Sequence, residues 1–248
     1  MSKIVVIYYH DIVEAGKGHS YQRIEVNKFE MQMRYLKEHG YKSLLFEDLQ
    51  NEIPEKAVLV TFDDGFESVY RNAVPIMREY DIQGNIFLPT KYVDEKDEHF
   101  MSWETLQELC ESKKFSVAGH THTHVDIRSL DEEKMREEIE TSNNLIFQKL
   151  GIETKSFCMP YGKYDLQSIW RLRKNSQYQF IYGSFYGHAV KKRLVKFLVP
   201  RIGISNEDTL EVFEKKLEGK MNWKGVIQQV RLLIANLKGE RIAQYDIE

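Results

Sequence analysis

Two short stretches of this chain carry side chains that could do chemistry together: Thr61-Phe62-Asp63-Asp64-Gly65 and Gly119-His120-Thr121-His122-Thr123-His124. A carboxylate and two imidazoles can hold a divalent cation with coordination positions left open, as catalytic zinc sites do. A second carboxylate beside such a centre can accept a proton from water that the cation acidifies. Adjacent aspartates at a strand end point to opposite faces or divide between strand and turn geometry, so one can ligate while the other faces the water. Taken alone, Asp63-Asp64-Gly65 reads more plainly as a β-turn, because Asp-Gly is a common turn pair. The histidines are harder to set aside. His120 and His124 are expected as ligands, and His122, lying between them, is expected to turn away.

The elements that must position these residues are legible around them. The first stretch follows the apolar run Ala57-Val58-Leu59-Val60, and the second follows Phe115-Ser116-Val117-Ala118. Both put polar side chains where a buried strand gives way to a loop, the place where α/β folds carry their chemistry. Further strands are expected at 4–9, 41–46, 84–89, 156–159, 179–184 and 196–204. Helices are expected at 28–39 with Gly40 after the last turn, around 47–51, at 69–80 with a kink or late start at Pro75, from Ser102 or Trp103 to Cys110, and at 131–150 and 209–217. The acidic start Asp131-Glu132-Glu133 suits the positive end of a helix dipole. Strand–helix alternation throughout predicts a parallel sheet, and 248 residues suit a closed barrel better than an open sheet.

Two other strand ends could contribute. Met159-Pro160-Tyr161-Gly162 could aim a backbone N–H at a developing oxyanion, although a Pro/Gly turn is the ordinary explanation. Tyr8-Tyr9-His10 ends the first strand, where a histidine by itself carries little information.

Composition narrows the classes. A net charge of −3 and a pI near 6.3 exclude the basic field that nucleic-acid binding needs. Cys110 and Cys158 lack C-x-x-C spacing and are expected to be reduced, buried small hydrophobes. The N-terminal apolar run Ile4–Tyr9 falls short of the roughly 7–15 apolar residues of a secretory signal and the about 20 of a membrane span. A cytoplasmic protein is therefore expected, or one at the inner face of the membrane. Near the C-terminus, Val226, Ile227, Val230, Ile234 and Leu237 form a helical stripe with Lys224, Arg231 and Lys238 around it. This segment, 223–238, could pack on the barrel or make peripheral contact with an anionic membrane.

Together these residues resemble the polysaccharide deacetylases of the NodB-homology type, carbohydrate esterase family 4. Thr61-Phe62-Asp63-Asp64-Gly65 is similar to the first motif of that family, His120-Thr121-His122-Thr123-His124 to the second, and Pro160-Tyr161-Gly162 to the end of the third. Ile7-Tyr8-Tyr9-His10, Ala73-Val74-Pro75-Ile76, Ile86-Phe87-Leu88 and Pro200-Arg201-Ile202 resemble the exopolysaccharide-deacetylase branch. The resemblance implies a deformed (β/α)7–8 barrel, with Asp63 as base, Asp64, His120 and His124 as metal ligands, and the Tyr161 N–H in an oxyanion hole that Pro160 and Gly162 shape. It departs at the arginine of the third motif, where Cys158 stands instead. Arg201 is the candidate substitute. No match exists for the Asp-Trp motif or for the C-terminal histidine that supplies the acid. A strand-level permutation, moving the last strand to the start of the chain, makes His10 the expected acid, with His188 in reserve.

The implied activity is metal-dependent removal of an N-acetyl group from an amino sugar, in a polysaccharide, an oligosaccharide or a lipid- or nucleotide-linked precursor. Zinc is the expected metal, although cobalt, nickel, manganese or iron can occupy the same ligands. Alternatives from other classes are a hydrolase of a small non-sugar amide and an inactive carbohydrate-binding relative. Tyr9, Trp103, Tyr161 and Tyr186 are the aromatics available to a sugar cleft. Residues 1–220 are expected to form the barrel and 221–248 a helical extension.

Overall fold

The computed structural model describes residues 3–19, 22–194 and 198–238. In chain order the elements are β1 (Lys3–Tyr9), β2 (Asp11–Val13), β3 (Arg23–Glu25), α1 (Val26–Glu38), β4 (Lys42–Ser43), β5 (Ala57–Asp63), α2 (Val74–Glu79), β6 (Gly84–Leu88), α3 (Thr90–Asp94) and α4 (Trp103–Glu111). There follow β7 (Phe115–Gly119), α5 (Glu132–Leu150), β8 (Ser156–Cys158), α6 (Leu166–Asn175), β9 (Phe180–Tyr182), β10 (Ala189–Val190), β11 (Ile202–Gly203), α7 (Leu210–Leu217) and α8 (Asn222–Lys238).

The main sheet runs β10-β1-β5-β6-β7-β8-β9 and is parallel from β1 through β9. The expected closed barrel is a curled sheet whose two edges meet through one irregular segment. Val199 bridges to Tyr182 of β9, and Ile202 and Gly203 pair with Ile7 and Tyr8 of β1. The first strand therefore lies beside the last, so His10, just beyond β1, opens onto the same end of the sheet as the loops after β5 and β7.

Parity along the strands decides what each side chain faces. Ile4 and Val6 of β1, Ala57 and Leu59 of β5, Phe87, Ala118, Cys158, Phe180 and Tyr182 pack together inside the curl. Val5, Ile7, Val58, Val60, Phe62 and Ile86 pack outward against Phe29, Met33, Leu36 and Met77 of the helices. Because both sheet faces are covered, β5 opens on the unbroken apolar run Ala57–Val60, and every residue of the strand is buried. Asp63 continues the inward series Ala57, Leu59, Thr61, and His120 continues Ser116, Ala118. The register that buries the core thus fixes the site residues on the inner face.

Several helix signals operate as expected. Ser102 caps α4 by accepting from Thr105 N at 3.2 Å, Asp131 caps α5 from Lys134 N at 2.8 Å, and Gly40 follows α1 at φ +72°. Pro75 cannot donate to the carbonyl of Arg71, and the chain answers with a π-helical stretch, Val69–Ala73, before α2 begins. Other expectations need correction. The strand over 41–46 shrinks to Lys42–Ser43, because Phe46–Gln50 winds into a 3₁₀ turn that plugs the sheet with Phe46 and Leu49. The strand over 196–204 keeps only Ile202–Gly203 and the Val199 bridge, with residues 196 and 197 outside the described set. The cysteines are both free, but Cys110 is only half-buried.

Candidate active site

Asp63 is the last residue of β5 and Asp64 the first of the turn, with φ +70°. The pair therefore divides between strand and turn. Gly65 follows at φ +72°, where a Cβ would also come within 2.5 Å of Leu88 Cδ1, so a side chain there would strain the turn and displace Leu88. Thr121, His124 and Tyr161 also have positive φ. Four non-glycine residues in a conformation costing about 1–2 kcal/mol each, all at one end of the sheet, mark where the fold holds strain.

Asp63 is buried and meets the fully buried Arg201 as a two-pronged ion pair, Nη1 to Oδ1 at 2.6 Å and Nη2 to Oδ2 at 2.8 Å. The guanidinium carbon lies 4.6 Å from the centre of the Tyr8 ring and 5.2 Å from that of Phe87, an aromatic sandwich that holds the fork in plane. Burial pushes the Asp63 carboxyl up, but Arg201 overrides it and holds the group well below the usual carboxylate range. Arg201 thus serves as an arginine partner to Asp63, from just before β11 and remote in sequence from the third motif. Cys158 lies beneath, with its Sγ 3.9 Å from Asp63 Oδ2, and burial keeps its thiol protonated. It is a buried small residue, as expected.

His10 is buried, with Nε2 3.9 Å from the same Oδ2 of Asp63. Burial lowers its pKa, while the negative charge of Asp63 opposes that shift. His188 is elsewhere: its Nε2 lies 3.4 Å from the Lys216 carbonyl, beside Ala189 and away from Asp63.

Asp64 faces His120 and His124. Its Oδ1 is 3.6 Å from His120 Nε2 and 3.2 Å from His124 Nε2, and the three ligand atoms lie within 4.8 Å of one another. The His120 Nδ1 lies 2.9 Å from the Cys158 carbonyl, a partner that requires N–H there and leaves Nε2 with a lone pair aimed at Asp64. Burial lowers His120 to about 3 and His124 to about 4, so both imidazoles are neutral, the form that ligates. Burial, and then the charge of Asp63, raises Asp64 to about 7, and its buried Oδ1 accepts no hydrogen bond. Two imidazole lone pairs and an unsatisfied carboxylate oxygen converging on one point fit a divalent cation.

The remaining expected residues divide. His122 turns outward from the cluster, and its Nδ1 meets Thr90 Oγ1 at 3.0 Å. Tyr161 stands over His124 with ring centres 4.4 Å apart and is 45% exposed. In its turn, Gly162 N donates to the Met159 carbonyl and Lys163 N to that of Pro160, while Tyr161 N–H takes no acceptor among the described residues. Of the aromatics named for a sugar cleft, Tyr9 is withdrawn into the core, where its hydroxyl donates to Gln32.

One residue escaped the sequence reading. Glu138 of α5 clamps the histidine loop: its Oε2 accepts from His122 N and Thr123 N, both at 2.9 Å, and its Oε1 from Thr123 Oγ1 at 2.7 Å. The available signal was an acid on the inward side of α5, three residues after Met135 and next to Ile139, among Glu132, Glu133, Glu137 and Glu140 that face solvent.

Comparison with known proteins bears on this arrangement. The family model described as polysaccharide deacetylase matches residues 50–181. The chain is 28% identical to the putative polysaccharide deacetylase YxkH of Bacillus subtilis over 174 residues, 68% of this chain and 60% of that protein. It thus spans less than two thirds of that relative. It is 27% identical to a poly-beta-1,6-N-acetyl-D-glucosamine N-deacetylase of Staphylococcus aureus over 235 residues, 86% of this chain and 77% of the relative. A polysaccharide deacetylase structure from Bacillus cereus superposes with a TM-score of 0.76 at 26% identity, covering 87% of this chain and 69% of that one. The Streptococcus pyogenes deacetylase PplD, solved with acetate, superposes with a TM-score of 0.79 over 87% of this chain and 98% of that one; at 22% identity it speaks to the fold alone. With a family match covering more than half of its length, and the curled parallel sheet of solved deacetylases, this chain belongs to the polysaccharide deacetylase family.

Proposed function

We propose that this protein is a metal-dependent N-deacetylase that hydrolyses the acetamido group of an amino sugar in a polysaccharide, an oligosaccharide or a lipid- or nucleotide-linked precursor. The observation that carries the reading is a buried carboxylate, Asp63, locked by Arg201 and adjoining both His10 and the Asp64–His120–His124 pocket. Asp64, His120 and His124 would hold the divalent cation, with zinc the first choice for one carboxylate and two imidazoles. When bound, such a cation supplies Lewis acidity, polarising a carbonyl and acidifying water.

Asp63 takes the proton of the attacking water. Arg201 keeps it ionised and points its oxygens, so it is ready as an acceptor at neutral pH. His10, 3.9 Å from Asp63 Oδ2, is placed to receive that proton and pass it to the departing amine as the C–N bond breaks. The N–H of Tyr161 offers a donor to the oxyanion. Acetate and a free amino sugar result. The Staphylococcus aureus relative's name supports β-1,6-linked N-acetylglucosamine as the first polymer to test.

The test is acetate release from N-acetylglucosamine oligomers and from lipid- and nucleotide-linked N-acetyl sugars, after dialysis against a chelator and with zinc or cobalt returned. Release is expected to vanish on dialysis and to reappear with metal. Full release from the dialysed protein would refute the cation's part. Metal binding without release from any sugar would favour a small-amide substrate.

The Glu138 clamp gives a separate prediction. Glu138→Ala is expected to weaken metal affinity about 10–100-fold, as losing an outer support of ligating side chains does, while kcat at saturating metal stays close to wild type. Competitive titration with a chromophoric chelator measures the first quantity. Unchanged affinity would show that the histidine loop holds its shape without Glu138.

A further inference from the structure

α8 leaves most of its large apolar side chains outside, whereas an ordinary surface helix turns its apolar side to the core. Its inward side carries buried Gly225, Gln228 and Ala235. Half-buried Leu232 packs against the core there, and polar contacts join it: Tyr186 N donates to Gln228 Oε1 at 3.0 Å, and Gln229 Nε2 donates to Tyr164 Oη at 2.8 Å. A Cβ at Gly225 would lie 1.7 Å from the Tyr186 carbonyl oxygen. The outward side carries Trp223, Val226, Ile227, Val230, Leu233 and Ile234 at helical spacing, each between 41% and 65% exposed.

This apolar side borders a groove of about 610 Å³ between α6, residues 185–194 and 198–200, and α8, lined by Leu166, Ile169, Phe185, Leu198, Leu232 and Leu233. Leu166 and, one turn further along α6, Trp170 are 68% and 59% exposed. The charge here is one-sided. The chain has 38 acidic residues and a net charge of −3, yet none of the acids lies between Asp165 and Glu207 or from Gly219 to Gly239. The described residues of those two acid-free stretches line most of the groove and form α8. They bring Lys192, Arg193 and Arg231 to the surface and set Lys224 5.3 Å over the Tyr186 ring.

An exposed aliphatic stripe, tryptophans at its edge and a rim without acids define an occupant that is apolar inside and anionic at its surface. We propose that this face docks peripherally on an anionic lipid bilayer, with α8 lying in the interface plane and Lys192, Arg193, Lys224 and Arg231 meeting lipid phosphates. A second copy of the chain fits less well, because a two-fold contact would set one basic face against another. No described helix is long and apolar enough to cross a membrane, and α8 is read as interfacial. Docking is independent of the reaction proposed above, although the two regions share a segment: Val199 and Pro200 line the groove and Arg201 follows.

The experiment is co-sedimentation of the full chain with phosphatidylcholine vesicles and with mixed phosphatidylcholine–phosphatidylglycerol vesicles, at low and high salt, beside size-exclusion chromatography without lipid. Binding is expected to the anionic vesicles, weaker by roughly tenfold or more on neutral vesicles or at high salt. The double variant Ile227→Glu/Val230→Glu changes only exposed side chains and is expected to lose vesicle binding about tenfold or more while keeping its circular dichroism. Lys192→Glu/Arg193→Glu is expected to lose the preference for anionic lipid. Absence of vesicle binding, equal binding to neutral and anionic vesicles, or binding unaffected by either double variant would overturn the proposal. A dimer in the absence of lipid that Ile227→Glu/Val230→Glu dissociates would assign the face to a second copy instead.

Discussion

Asp63→Asn is expected to reduce kcat for acetate release by about 10²–10⁴-fold, the range in which positioned general-base catalysis operates, with bound metal unchanged. Asn retains the shape of Asp63 and one oxygen for Arg201, but it cannot take a proton from water. The candidate ligand atoms of Asp64, His120 and His124 belong to the neighbouring turn and the β7 loop, so all three remain in place when the Asp63 carboxylate becomes an amide. The substitution also leaves the buried Arg201 charge without its counter-ion, which costs about 3–5 kcal/mol in comparable pairs. Metal stoichiometry and thermal denaturation are therefore measured beside kcat. A folded, metal-loaded Asp63→Asn protein with kcat near wild type would remove Asp63 from the reaction. Asp63→Glu, which keeps the charge but moves it by a methylene, should be far better folded and still slow.

Arg201→Met is expected to destabilise the fold by about 3–5 kcal/mol at pH 7, because a buried carboxylate loses its partner. In a domain of this size that is a fall in Tm of roughly 6–20 °C. The pH dependence separates this from a simple packing defect. In the wild type the Asp63 pKa is depressed, so its contribution is present above the unfolded value and is lost as pH falls toward the folded one. Without Arg201, burial dominates and raises that pKa above the unfolded value, so the charged form penalises folding at neutral pH and the penalty fades on acidification. The stability gap between variant and wild type should therefore be widest near pH 7 and narrow toward pH 4. A gap of constant size across that range would mean that Arg201 acts by filling space between Tyr8 and Phe87. Arg201→Lys should not rescue, because an ammonium cannot make the two-pronged contact.

Much of the candidate site was legible because it is local. Each of Asp63, His120 and Tyr161 follows an apolar run that had to be a strand, and period-two alternation carries Asp63 and His120 inward from the core residues before them. The Asp64-Gly65 turn could be read because two successive positive φ values select such residues. The helix caps at Ser102 and Asp131 involve partners three residues away, which a sequence displays directly.

Contacts between distant segments could not be read from local pattern: the family resemblance offered Arg201 and His10 as candidates, and only the fold shows what each one touches. Arg201 is separated from Asp63 by 138 positions, and only the return of the last strand beside β1 brings the guanidinium under the carboxylate. The same closure sets His10 against Asp63 and leaves His188 outside the site. Glu138 looked like one acid among several on a polar helix until the β7 loop was laid across it. The outward turn of the aliphatic stripe on α8 depended on which side its glutamines and Gly225 would find partners. Residue types and their spacing determined the candidate ligands, the candidate base and the strands that carry them, because those rest on local periodicity and turn geometry. The partners that charge, orient and support them were decided by tertiary closure, because those forces act through space between segments that the chain order keeps apart.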